Sequence, residues 1–173
     1  MNNREFKKLI SKLLEPYGFK REKNLWYRHM DGVFAVLRIE DRTYCHAWYV
    51  GCGAEFAHTE YERCPWNTNL DFTDLFIFPA SQPLSDEWRQ YQHTIPRRAP
   101  VEEYIQLAMF SDDQIKEYLI FNIERSLVPM LTKESLLKTV HNDPYYLYIG
   151  KEKNMHLYGF TADEIQEKNI HVR

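Results

Sequence analysis

The sequence predicts an α+β fold: an N-terminal helix, an antiparallel β-meander of three to four strands, and then several helices that pack on the sheet. Three observations predict it. Apolar residues recur at helical spacing over the first sixteen residues, alternate with period two in several segments between residues 25 and 79, and return to helical spacing beyond residue 100. Strands followed by helices, without regular alternation between the two, favour α+β over a parallel sheet.

The first segment predicts an amphipathic helix, because its apolar residues fall on a single stripe. They are Phe6, Leu9, Ile10, Leu13 and Leu14. Asn2 or Asn3 can cap the start of this helix, and Pro16 followed by Gly18 ends it.

The second segment predicts a β-hairpin around Asp31-Gly32, a pair that tolerates the positive φ angles of a two-residue type I′ turn. With that turn, Met30 pairs with Val33, and every second residue faces the same side. The predicted core side holds Trp26, Arg28, Met30, Val33, Ala35, Leu37 and Ile39. The opposite side, called the mixed face below, holds Leu25, Tyr27, His29, Phe34, Val36, Arg38 and Glu40.

Two more strands and several helices complete the prediction. Residues 46–56 form a third strand, in which Gly51 and Gly53 suggest a bulge or a close approach to the backbone. Residues 70–79 form a fourth strand, which Pro79 stops. Helices are then indicated by Pro100 before Ile105, by the capping box of Ser111 and Gln114, by the spacing of Leu136, Leu137 and Val140, and by the capping pair Thr161 and Glu164, with a short extended segment at 144–150.

The composition predicts a single folded domain over residues 1–173, with a sheet-bearing part (1–80), a proline-rich connector (81–100) and a helical part (101–173). Its 44% hydrophobic and 27% charged residues exclude a disordered chain. We see no secretory signal and no apolar run approaching the ~20 residues that span a bilayer. Three cysteines, an odd number, fit a reducing compartment, so we expect a cytoplasmic protein.

The charge is unevenly distributed. The chain carries a net charge of −3, yet residues 1–30 hold eight basic residues against three acidic ones. The basic residues are Arg4, Lys7, Lys8, Lys12, Lys20, Arg21, Lys23 and Arg28. Such a region can bind nucleic acid or an acidic partner. The alternative, a solvated helix face beside a lysine-rich loop, is favoured over nucleic-acid binding because these charges need not converge.

The usual signatures of catalysis and of metal or cofactor binding are missing. Cys45, Cys52, His58 and Cys64 have the chemistry of zinc ligands, but no Cys-x-x-Cys pair brings two thiolates together. The sequence has no nucleophile elbow, P-loop or dinucleotide fingerprint. We therefore assign no metal, no cofactor and no catalytic residue.

The mixed face is the one candidate site with a geometric basis. We expect it to bring together Tyr27, His29, Phe34, Arg38, Glu40 and, from the next strand, Tyr49. Aromatic and arginine side chains are enriched at protein interfaces, so this composition indicates a protein-binding surface. An alternative is that the C-terminal helices cover this face. Another is an enzyme that uses Arg38 to bind an anion and His29 or His46 as acid or base.

Several of these features together resemble a known family. They are the basic amphipathic helix, the step Gly18-Phe19-Lys20, the pair Trp26-Tyr27 before the hairpin, and the strand containing Tyr49-Val50-Gly51-Cys52-Gly53. Over about the first 60 residues the chain resembles the bacterial family known as domain of unknown function 4304. The family has Asn-x-Gln-Lys-Ser where this chain has residues 38–42, Arg-Ile-Glu-Asp-Arg. The resemblance implies no established activity, although some members look like immunity proteins encoded near secreted toxins.

Overall fold

The computed structural model describes residues 1–42, 47–56, 72–76, 105–142, 158–161 and 163–164, together with Phe78. The helices are α1 (Asn3–Leu14), α2 (Asp112–Asn122) and α3 (Lys133–Asn142). The strands are β1 (Lys20–Glu22), β2 (Leu25–Met30), β3 (Val33–Arg42), β4 (Ala47–Phe56) and β5 (Phe72–Leu75). They form one antiparallel sheet in the order β1-β2-β3-β4-β5, so the predicted α+β fold with a β-meander is confirmed.

Helix α1 begins as predicted, with Asn2 as its N-cap. The Asn2 side chain accepts hydrogen bonds from the backbone amides of Arg4 and Glu5, and the Glu5 carboxylate accepts one from the Asn2 amide. This reciprocal arrangement satisfies amides that a helix start leaves without partners. Phe6, Ile10 and Leu14 are completely buried, which places the predicted apolar stripe against the sheet.

The hairpin has the predicted register. Asp31 and Gly32 have φ angles of +56° and +72°, and β2 pairs with β3 from Met30 opposite Val33 to Leu25 opposite Arg38. Leu37 is fully buried while Arg38, the next residue, is 58% exposed. The Asp31-Gly32 turn therefore determines which residues of the two strands lie on which face of the sheet, because a shift of the pairing register by one position would exchange the two faces.

Replacing Gly32 with alanine is expected to lower the free energy of unfolding by about 1–2 kcal/mol, since a Cβ is disfavoured in the left-handed region. The added Cβ would not clash with a neighbouring side chain, because its nearest atom, Lys133 Cδ, would lie 3.9 Å away. Chemical denaturation of both proteins checks the effect, and an unchanged stability would contradict the left-handed turn.

Two details of the sheet differ from the prediction. Residues 20–22, predicted as part of a loop, form the edge strand β1, and pairs such as Arg21 with Trp26 hold it to β2. Strand β4 pairs with β3 at ten consecutive positions, so Gly51 and Gly53 do not produce a bulge. Both differences reflect pairing with a neighbouring strand, which local sequence preferences describe poorly.

Met30 was predicted to face the core, but it is 49% exposed. It lies on the predicted side of β2, next to the turn, where the strand ends. Its sulfur lies close to Gly18, since a Cβ on that glycine would be 3.1 Å away. The prediction of a buried Met30 was wrong because β1 pairs only with residues 25–27 and leaves β2 as the sheet edge at Met30, whereas its partner Val33 on β3 is 1% exposed.

Ile105 was predicted to lie in a helix, and this was also wrong. Its amide and carbonyl exchange hydrogen bonds with Trp48 at 2.7 and 2.8 Å, which makes an isolated antiparallel bridge. Ile105 is fully buried, and a single 3₁₀ turn, Leu107–Met109, follows. Residues 101–104 of the predicted helix lie outside the described residues.

The main core lies between the sheet and helices α1, α2 and α3. Two tryptophans attach α1 to the sheet: Trp26 Nε1 donates to Ser11 Oγ at 2.9 Å and Trp48 Nε1 donates to Asn3 Oδ1 at 3.0 Å. Both indole rings are almost completely buried. Each therefore combines a large buried apolar area with a satisfied donor.

The two helices predicted between residues 111 and 142 are present. The Ser111–Gln114 capping box begins α2, which continues through a π-helical turn (Ile123–Leu127) into a 3₁₀ turn that contains Pro129. Helix α3 contains the predicted buried Leu136 and Val140.

The last described segment packs on the core. Tyr158 stacks on Phe56 with ring centroids 4.4 Å apart, and the His141 ring stacks on Phe160 at 4.2 Å. Thr161 and Glu164 form the predicted capping pair. The helix expected beyond residue 164 and the extended segment at 144–150 lie outside the described residues.

An ion pair joins the start of the chain to α2. The Met1 α-amino group lies 2.8 Å from Asp112 Oδ1, and this hydrogen bond raises the pKa of the amine above its ordinary value of 8.0. Because the pKa is raised on folding, the stabilisation is complete below about pH 8 and is lost as the pH rises through the raised pKa.

We expect Asp112→Asn to remove this pH dependence. The difference in stability between the wild type and the variant should shrink as the pH rises from 7 to 10, because the wild type alone loses an ion pair. Denaturant midpoints across this range measure it. A difference that stays constant with pH would show that the amine does not contribute.

Candidate functional site

The structure places all six candidate residues on the mixed face, in positions set by the strand register. His29 lies opposite Phe34 on β2 and β3, and Tyr49 on β4 lies opposite Glu40. Tyr27 is paired with Val36, two residues from Arg38 along β3. Partners in an antiparallel pair point to the same side, so one face of the sheet carries the whole predicted set.

The mixed face has a buried part. Leu25, Phe34 and Val36 form a small apolar cluster separate from the main core, and Phe34 is completely buried. Tyr27 packs against this cluster, with its ring centroid 6.5 Å from that of Phe34. Phe34 is therefore covered by other residues of the chain and does not offer its ring to a partner.

The exposed part of the mixed face contains an ion pair between two residues of β3 that are two positions apart and point to the same side. Arg38 Nη2 lies 2.8 Å from Glu40 Oε1, and the two side chains are 58% and 38% exposed. Tyr27 and Tyr49 are half-buried beside them, and Gly51 lies directly opposite Arg38. We call Tyr27, Arg38, Glu40 and Tyr49 the Arg38 surface.

His29 does not belong to this group. It is paired with Phe34, four residues from Arg38 along β3, a separation of about 13 Å at the usual rise of a strand. The alternative site that combines Arg38 with His29 is therefore not assembled by the sheet. His46, the other candidate acid or base, lies outside the described residues.

The described helices do not cover the mixed face. Buried residues of α1, α2 and α3 belong to the main core, together with Trp26, Leu37 and their neighbours on the opposite side of the sheet. The alternative in which C-terminal helices cover the mixed face is therefore not supported by α2 or α3. The Arg38 surface faces away from the helical layer.

The candidate metal ligands are not brought together in the part of the chain that the structure describes. Cys52 is buried on the core side of β4, and Cys45, His58 and Cys64 lie outside the described residues. Within the described ranges, no group of three His, Cys, Asp or Glu side chains is arranged to hold a metal ion.

Several of the basic residues are used within the fold. Lys7 Nζ lies 4.8 Å from the Trp48 ring centroid, and the Arg21 guanidinium lies 5.1 Å from that of Trp26. Arg28 is only 8% exposed and pairs with Asp31 at 2.8 Å. This pair was not predicted, although opposite charges three residues apart beside a tight turn could have indicated it.

Comparison of the chain with protein-family models, with curated proteins and with solved structures gave no match. The resemblance to the domain of unknown function 4304 therefore stays a prediction. Within the described residues, no helix combines the length and apolar character needed to cross a membrane.

Proposed function

We propose that this chain is a protein-binding module that recognises its partner through the Arg38 surface. In this proposal it is a bacterial cytoplasmic protein with a regulatory or immunity-like role, in line with its resemblance to a family some of whose members look like immunity proteins. The observation that supports it most is an exposed Arg–Glu pair beside two tyrosines, on the side of the sheet that α1, α2 and α3 leave uncovered.

Energetics favour a role in binding for the Arg38–Glu40 pair. Exposed ion pairs contribute about 0–1 kcal/mol to folding, so this pair has little structural value. At an interface, tyrosine and arginine are the residue types that contribute most, because they combine a large contact area with polar groups of fixed geometry. Phe34 and Val36, further along the same face of β3, are buried, so the Arg38 surface borders a packed apolar cluster.

The enzyme alternative receives less support. An anion clamp needs an arginine whose charge is available to the substrate, whereas Arg38 is already neutralised by Glu40 at 2.8 Å. Its candidate acid or base, His29, lies about 13 Å away along the sheet.

Site-specific photo-cross-linking in cells tests the proposal. A photoreactive phenylalanine derivative at position 49 keeps an aromatic ring on the Arg38 surface and leaves Arg38 and Glu40 in place, so it is expected to capture one defined protein. The same amino acid at Lys116, an exposed position on α2, is the matched control and should not capture it.

With the captured protein purified, Arg38→Ala and Glu40→Ala should each weaken binding by about tenfold or more, as expected for interface hot spots. Equal capture from positions 49 and 116, or an affinity that both substitutions leave unchanged, would refute the role of this surface.

A further inference from the structure

Three basic residues form a row along the outer side of α1. Arg4, Lys8 and Lys12 follow each other at intervals of four residues, and all three are exposed. At 1.5 Å per residue, their positions are spaced by about 6 Å along the helix axis. We call these three residues the basic ridge. It faces away from the sheet, because Phe6, Ile10 and Leu14 occupy the buried side of the helix.

The ridge is not neutralised by the described carboxylates. Glu5 and Glu15 are nearby in sequence, but no carboxylate of the described residues lies within 4.0 Å of the three cationic groups. Glu5 is instead bound to the Asn2 amide in the capping box. Since no described carboxylate pairs with them, these three cations repel each other at i,i+4 spacing, a small cost that a binding role would explain.

Two further cations, Lys7 and Arg21, border the ridge. Lys7 lies over the Trp48 ring, and Ser11, one helical turn further along α1, accepts the hydrogen bond from Trp26, so this flank of α1 faces the two tryptophans. Arg21, on the edge strand β1, lies with its guanidinium over the Trp26 ring, 5.1 Å from the ring centroid. The positive surface therefore extends from α1 towards the sheet edge.

The observations favour a protein as the bound polyanion. Nucleic-acid sites commonly add exposed aromatic rings on which bases stack, whereas Trp26 and Trp48 are 1% and 3% exposed and carry cations on their faces. The chain as a whole also has a net charge of −3, which repels a long polyanion. A short acidic segment can contact the ridge without approaching the rest of this chain, which is acidic.

We propose that the basic ridge of α1 binds an acidic helical segment of a protein, whose carboxylates follow the same four-residue spacing. This surface uses none of the residues of the Arg38 surface. The two proposals can therefore fail separately.

Fluorescence anisotropy with a labelled helical peptide tests the ridge. The peptide carries three glutamates at successive four-residue intervals, and a twin peptide carries glutamine at the same positions. The full-length protein is expected to bind the glutamate peptide at low ionic strength and to lose affinity as salt is added, because the contact is between exposed charges. The glutamine twin should not bind.

Charge reversal at Lys8 and Lys12 (Lys8→Glu with Lys12→Glu) should reduce the affinity by about tenfold or more. The matched control reverses Lys116 and Lys138, which are exposed on α2 and α3, and should leave the affinity unchanged. A neutral pair, Lys8→Gln with Lys12→Gln, should also weaken binding and serves if the reversed protein does not fold.

Three results would overturn the proposal: equal binding of the two peptides, an equal loss with the control pair, or tighter binding of a single-stranded oligonucleotide of the same charge. The last result would assign the ridge to nucleic acid.

Discussion

Replacing Trp26 with alanine is expected to lower the free energy of unfolding by about 3–5 kcal/mol, the usual cost of removing a large buried aromatic side chain. The ring is 1% exposed and lies between the sheet and α1. The substitution leaves a cavity, and it also removes the indole donor to Ser11 Oγ. Denaturant unfolding of the two proteins measures the difference.

Trp26→Phe is the matched control, because it keeps an aromatic ring and removes the hydrogen bond. It should cost less, with about 1 kcal/mol of the loss from the missing bond. If alanine cost less than 1 kcal/mol, α1 would not pack on Trp26 as the structure shows.

The second large effect is the difference in stability loss between alanine substitutions at two consecutive residues of β3, Leu37 and Arg38. Leu37→Ala is expected to cost about 2–5 kcal/mol, because Leu37 is completely buried in the main core. Arg38→Ala should change stability by about 0.5 kcal/mol or less, since Arg38 is 58% exposed and pairs only with the partly exposed Glu40.

The contrast between these variants depends on the strand register. A shift of one position would bury Arg38 and expose Leu37. Similar stability losses at both positions, measured by thermal or denaturant unfolding, would contradict the register that the Asp31-Gly32 turn imposes.

The sequence predicted the elements whose signals are local. Asp31-Gly32 specified the turn, and through it the pairing of Met30 with Val33 and of Trp26 with Leu37. The capping boxes at Asn2 and at Ser111 likewise depend on side chains within three residues of each other. Such signals can be identified without knowing what packs on the segment.

The remaining features depend on contacts between distant parts of the chain. Ile105 makes a bridge to Trp48 because a β-strand end is available there, and its own sequence context indicated a helix. Strand β1 is only three residues long and exists by pairing with β2. The period of two placed Phe34 on the mixed face correctly, but it carried no information on how deeply Phe34 is buried.

The sequence therefore predicted on which face of the sheet the candidate site lies, and the structure then showed which residues of that face are exposed. Alternation brought Tyr27, Arg38, Glu40 and Tyr49 to one side of the sheet, whereas only the structure shows that Arg38 and Glu40 are exposed and that they pair. The separation of His29 from Arg38 follows from the register. It could have been predicted from the sequence, because a two-residue turn at Asp31-Gly32 pairs His29 with Phe34, four residues from Arg38.

Solvent paramagnetic relaxation enhancement along β3 reports which side chains meet solvent in the folded protein, so it tests the strand register and the exposure of Arg38 together. We expect strong enhancement at Arg38 and Glu40 and weak enhancement at Leu37 and Ile39. Uniform enhancement over residues 37–40, or the opposite alternation, would contradict both the register and the Arg38 surface.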